Sequence, residues 1–187
     1  MVTEIAPRIS EPHAYDHSAL RTALGHYATG VAVVTTTGSD GHPAGITINS
    51  FGSLSLDPPL ILWCLQRSSA SLATFTTADH FAVNVLAAGQ ERVARQFSAR
   101  GEDRFRGLRW HHGPHRMPTL DDGLGVFVCR RLRHIHGGDH VIIIGHLERY
   151  QVTPGRSPLV FYSGRYLNVL SATAASKTSE HTKGGKS

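Results

Sequence analysis

Short β-branched segments punctuated by turn residues set the strongest limit on what this chain can fold into. VAVVTTT at 31–37 is followed by Gly38-Ser39-Asp40-Gly41 and a second arm at 44–51. Valine and threonine suit a pleated, half-buried surface, and the glycines supply the positive φ of a tight turn, so the pair reads as a hairpin. LILWCLQ from Leu60, HFAVNVLA at 80–87, and segments at 124–135, 140–152, 159–162 and 166–170 continue the pattern. Most connections are too short for the dozen or more residues that a parallel crossover needs. Six or seven strands are expected, in a mainly β fold: an antiparallel barrel with short peripheral helices.

The helices are minor. Leu20, Leu24 and Tyr27 recur at helical spacing behind Asp16 or Ser18 as N-cap, which predicts a helix from Asp16 that ends near Gly30. Ser68–Asp79 and Gln90–Ser98 predict two more short ones. Residues 1–15 read as a flexible arm, 16–170 as one domain, and 171–187, small and polar, as a disordered tail. Between Arg100 and Pro118 five arginines lie among Gly and Pro, the pattern of an exposed excursion.

Composition narrows the function classes. The 187 residues, 40% hydrophobic and 18% charged, fit one globular domain. The formal charge of +5 is scattered rather than gathered in a run, which points to charged small molecules and away from nucleic acid. Cys64 and Cys129 both lie in apolar strands and form no CxxC pair, so they are expected as small core residues in a reducing compartment. No apolar signal core opens the chain, and no apolar run approaches the ~20 residues of a spanning helix. The expected location is the cytoplasm, without membrane association.

One stretch is out of character with the strands around it. PAGITINSFGSLSLDPP, from Pro43 to Pro59, carries Thr47, Asn49, Ser50, Ser53 and Ser55 between two segments that read as buried. Buried polar groups need partners. Neutral donors and acceptors beside glycine suit a phosphate or a polar ring edge better than acid–base chemistry. The helix start near Ser68–Ser71 adds an anion-binding end.

Familiar catalytic patterns are missing: no GxGxxG, P-loop, GxSxG or HExxH occurs. Thirteen histidines include clusters at His111, His112, His115 and at His134, His136, His140. Both adjoin Gly-rich polar loops, with no nearby cysteine and few carboxylates, so no metal is expected. His140 follows the Gly137-Gly138-Asp139 turn at the head of an apolar strand, where it reads either as a solvent-facing strand end or as a polar handle at the barrel mouth. Tyr162 and Tyr166 read as core aromatics.

Five segments taken in order carry a resemblance: TGVAVVTT at 29–36, PAGITINSFGSLSLDPPL at 43–60, HFAVNVL at 80–86, GDHVIIIG at 138–145 and PLVFYSGRY at 158–166. In this respect the chain resembles the flavin reductase family, the reductase components of two-component flavin-dependent monooxygenases, over about residues 18–168. The resemblance implies a homodimeric split β-barrel that binds FMN or FAD, takes hydride from NADH or NADPH and releases reduced flavin to a partner monooxygenase. It assigns flavin contacts to Pro43, Ala44, Gly45, Ile46 and Thr47, then to Asn49 and Ser50. Further contacts fall at Cys64, Leu65 and Gln66, at Ala70 and Ser71, and at Gln96 and Phe97. His140 and Tyr166 are implied for the nicotinamide, with His140 as the catalytic residue and Gly30 leaving room for ring approach. The rival readings are a flavin-binding sensor or carrier without turnover, and an oxygenase acting on its own substrate.

Overall fold

The computed structural model describes residues 16–101 and 103–169; the expected arm at 1–15 and tail at 171–187 lie outside the described residues. The elements run α1 (His17–Leu24), β1 (Thr29–Gly30), β2 (Ala32–Thr37), β3 (Pro43–Ile48), β4 (Gly52–Leu56), β5 (Pro59–Gln66), α2 (Leu72–Thr77), β6 (His80–Val85) and α3 (Glu91–Ser98). They continue with β7 (Trp110–His112), a 3-10 turn (Pro114–Arg116), β8 (Pro118–Leu120), β9 (Gly125–Gly137), β10 (His140–Val152), β11 (Leu159–Tyr162) and β12 (Arg165–Asn168). Mainly β organisation with three short α-helices is as expected.

Local chemistry accounts for the boundaries. Asp16 caps α1 by accepting a 2.8 Å hydrogen bond from the Ser18 N–H. The helix stops short of the expected end near Gly30, because the Gly25 N–H closes on the Arg21 carbonyl and Thr29–Gly30 is drawn into β1 against β11. The strand count exceeds the six or seven expected. The additional ones, such as β1, β4, β7 and β8, span only two to five residues, too short to show an alternating pattern.

Seven strands form one sheet in the order β3-β2-β6-β9-β10-β5-β4, every neighbour antiparallel. β3 and β4 are its two edges, yet only Asn49, Ser50 and Phe51 separate them in sequence. The chain therefore closes the curled sheet on itself, as a barrel requires. Ser50 carries the β4–β5 pairing one step into this link: its hydroxyl accepts from the Cys64 N–H at 2.9 Å and donates to the Cys64 carbonyl at 3.3 Å. Ser50→Ala is expected to lower the unfolding free energy by about 1–3 kcal/mol, since both β5 groups lose their partner; urea denaturation measures it.

The interior is packed around Trp63, Phe75, Phe81 and Ile143. A second apolar cluster lies outside the sheet, where Phe97 of α3 meets Leu86, Phe105 and Leu120. That cluster anchors the excursion at 100–118 to the barrel. Its arginines are mostly exposed, but Phe105 is 6% exposed and sits edge-on to Phe97 at 4.9 Å. The fully buried Asn84 ties the segment down: its amide donates to the Val33 carbonyl and to Thr35 Oγ1 and accepts from the Leu120 N–H.

Both cysteines are free, and burial pushes the Cys129 thiol up to about 12, which fits an inert core residue. Among the described residues no helix is long and apolar enough to cross a membrane.

Candidate flavin site

The closure between β3 and β4 is also where the polar groups gather. Three adjoining cavities meet at Asn49. One, of about 250 Å³, is bordered by Thr47, Asn49, Ser50, the Cys64–Gln66 end of β5 and His140. A second, of about 170 Å³, lies between Thr47, Asn49, Phe161 and Tyr166. The third, of about 350 Å³, runs from Tyr27–Ala32 to Asn49–Phe51. Together they match the size of a cofactor pocket.

The sheet register explains the gathering. β10 pairs with β5 so that His140 stands opposite Gln66, and the Arg67 N–H bonds to the Asp139 carbonyl at 2.9 Å. The β9–β10 turn, Gly138-Asp139, is thus held at the end of β5. Gly138 takes φ +66°, the left-handed backbone that glycine adopts at least cost. Asp139 Oδ1 lies 2.7 Å from His140 Nδ1, and this hydrogen bond holds the Asp139 carboxyl below the usual carboxylate value. The lowered carboxyl means that the pair's contribution is complete above the unfolded value and is lost as pH falls through the folded one. With Nδ1 engaged, Nε2 is the ring nitrogen left for a ligand.

The residues expected at the site divide into three groups. Ile46, Thr47, Asn49, Ser50, Cys64, Leu65, Gln66 and His140 border one cavity, and Tyr166 borders the next one across Asn49. His140 and Tyr166 therefore border different cavities that share Thr47, Ile48 and Asn49. Pro43, Ala44 and Gly45 lie further along β3, and Ala70 and Ser71 in the turn that opens α2. Gln96 and Phe97 face elsewhere: the Gln96 amide donates to the Arg104 and Arg106 carbonyls, both at 2.9 Å, and the Phe97 ring is fully buried against Gly45. A Cβ on Gly45 would stand 2.4 Å from that ring, so glycine is required there by packing.

Existing hydrogen bonds sort the polar side chains further. Thr47 Oγ1 donates to the Ala94 carbonyl at 2.7 Å, anchoring β3 to α3, and Ser50 is committed to β5. Asn49 is exposed, borders all three cavities, and its amide takes part in none of the side-chain hydrogen bonds among the described residues. Thr29, at the wall of the largest cavity, has a buried hydroxyl with no partner among the described residues. An uncommitted amide facing cofactor-sized space fits a polar ring edge, and the orphaned Thr29 hydroxyl lies buried behind the cavity wall. Thr29 was not among the expected contacts, although it opens the segment TGVAVVTT.

Comparison with known proteins gives the arrangement a family. Residues 24–170 match the model described as "Flavin reductase like domain". The reductase component of the flavin-dependent trigonelline monooxygenase of Acinetobacter baylyi is 40% identical over 147 residues, 79% of this chain and 47% of that protein. The FMN reductase (NADH) SmoA of Agrobacterium fabrum is 40% identical over 155 residues, 83% of this chain and 87% of its own length. The NADH:FAD oxidoreductase SgcE6 of Streptomyces globisporus, solved with NAD and FAD fragments, superposes with a TM-score of 0.82 at 35% identity, over 89% of this chain and 99% of that one. The chain spans about half the length of two of the curated relatives it matches. With the family model covering the chain from the last residue of α1 through β12, this chain belongs to the flavin reductase-like domain family.

Proposed function

We propose that this chain is an NAD(P)H-dependent flavin reductase that binds FMN or FAD and supplies diffusible reduced flavin to a partner monooxygenase. The observation that carries the reading is the trough at the barrel closure, where Asn49, the end of β5 and the Asp139–His140 turn meet. A bound flavin supplies the hydride acceptor and the pyridine nucleotide the hydride, so no protein nucleophile is required. The residues bind and orient. Asn49 offers donor and acceptor to the flavin edge, the Cys64–Gln66 strand end forms the wall, and His140 Nε2 faces the nucleotide from a ring fixed by Asp139. Relatives named as reductase components and an NADH:FAD oxidoreductase support this assignment.

A homodimer in the cytoplasm completes the reading. α1 buries none of its residues, and Leu24 and Tyr27 are 67% and 80% exposed, Tyr27 at the wall of the largest cavity. A second copy laid over this rim would cover them. Light scattering on the purified chain should give twice the chain mass.

The deciding experiment is oxidation of NADH and NADPH with and without added FMN and FAD. Turnover that depends on free flavin is expected, with much of the flavin lost on gel filtration. No flavin-dependent rate with either nucleotide would overturn the proposal in favour of a carrier or sensor, and flavin retained through gel filtration would favour an oxygenase. His140→Ala is expected to slow flavin reduction roughly 10- to 100-fold while changing the flavin dissociation constant far less. Stopped-flow reduction and flavin titration separate the two, and the opposite pattern would place His140 on the flavin.

A further inference from the structure

We propose that His80, His115 and Glu148 form a binding site for a divalent transition-metal ion, with zinc as the occupant, at the end of the barrel away from the flavin trough. The three residues come from different parts of the chain: the first residue of β6, the 3-10 turn before β8, and β10. Their ligand atoms all lie within 4.8 Å of one another. Glu148 Oε2 is 2.9 Å from His115 Nε2 and 3.5 Å from His80 Nε2. Tetrahedral zinc with bonds of about 2.0–2.1 Å separates its ligand atoms by roughly 3.3–3.4 Å, so the His80 distance is close to that of a filled site and the His115 pair, at hydrogen-bond distance, opens slightly on binding. The two imidazoles stack with centroids 3.9 Å apart and planes 13° from parallel, so one ring must swing out of the stack for both Nε2 lone pairs to converge on an ion.

Local backbone structure builds this convergence. β10 slips register between Leu147 and Arg149, leaving Glu148 as the extra residue of a bulge, a device that re-aims a side chain. His115 is held at φ +53° and its neighbour Arg116 at φ +60°, an unusual pair of left-handed residues that turns the imidazole towards the sheet. Arg130 Nε lies 3.5 Å from Glu148 Oε1, which fixes the carboxylate from outside and leaves Oε2 for the ion. The side chains of His80, His115 and Glu148 are 21%, 42% and 25% exposed, so the site opens to solvent and has room for a water as fourth ligand. Two imidazoles and one carboxylate are a donor set that zinc takes with a water in the fourth position, and that iron(II) also uses.

The site is structural rather than part of hydride transfer. Val85, at the other end of β6, borders the largest cavity at Asn49, and five residues of strand put it about 17 Å from His80. A bound ion would pin the Pro114–Arg116 turn to β6 and β10.

The test uses the full chain without a histidine tag, stripped with chelator and titrated calorimetrically with zinc chloride, with Co²⁺ as an absorbance probe. One ion per chain is expected, with micromolar or tighter affinity and a Co²⁺ spectrum of four-coordinate type. Zinc at about 100 times its dissociation constant should raise Tm by roughly 5–10 °C. His115→Ala, in a surface turn, and Glu148→Gln should each weaken zinc binding by at least the roughly 10- to 100-fold that loss of an outer-shell partner costs. Replacing both His134 and His136 with alanine should leave binding unchanged. Affinity no tighter than millimolar, or wild-type affinity in both His115→Ala and Glu148→Gln, would overturn the proposal; the second result would assign the ion to other histidines.

Discussion

Replacing Trp63 with alanine is expected to lower the unfolding free energy by about 3–5 kcal/mol, the largest loss of any single truncation in this barrel. Trp63 is fully buried in the interior cluster, edge-on to Phe75 at 5.2 Å and to Phe81 at 5.8 Å. Removing the indole leaves a cavity bounded by two rings that sit on different elements, α2 and β6, and cannot both move in to fill it. Trp63→Phe should cost less than half as much. It keeps an aromatic ring between the same neighbours and removes an indole N–H that has no partner among the described residues. Urea denaturation of the two variants gives the comparison, and a loss below about 1 kcal/mol for Trp63→Ala would mean that the interior repacks freely.

Asn49→Ala should raise the flavin dissociation constant roughly 5- to 150-fold, equivalent to about 1–3 kcal/mol, with the unfolding free energy unchanged within about 0.5 kcal/mol. Its amide borders three cavities and is not spent on protein hydrogen bonds, so truncation removes a ligand contact and little else. Ser50→Ala should do the reverse in its first effect, because that hydroxyl is spent on Cys64. Fluorescence titration beside thermal melting distinguishes the two residues. Wild-type flavin affinity in Asn49→Ala would take the β3–β4 link out of the site.

Much of the sheet was legible because its pairs are local and their turns are written in the sequence. The 31–37 and 44–51 arms around Gly38–Gly41, and the long β9–β10 hairpin around Gly138-Asp139, show alternating apolar residues and turn chemistry within a single window. The polar run at 43–59 supplies Thr47, Asn49 and Ser50 to the trough. It did not reveal how its residues divide the labour. Ser50 is committed to the neighbouring strand β5 and Thr47 to a helix at residue 94, bonds made through side chains that the polar run itself does not disclose. Gln96 and Phe97 look like site residues from their motif, yet their side chains hold the arginine-rich segment and the second apolar cluster. Thr29 and the His80–His115–Glu148 group escaped notice for a related reason. One depends on burial at a single atom, and the other joins residues separated by more than thirty positions each way.

The strand order carries a consequence for synthesis. Two N-terminal hairpins, β2–β3 and β4–β5, can form from neighbouring residues as soon as they leave the ribosome. They share the hinge at 49–51, but β6, β9 and β10 must be laid between them before either has a fixed place. Most of the trough's walls are encoded before residue 67, while the strand that sets their spacing ends at Val152. Assembly must therefore wait for long-range pairing, the slow class of contact. A fragment ending before Gly125 would carry nearly every trough residue and have no trough.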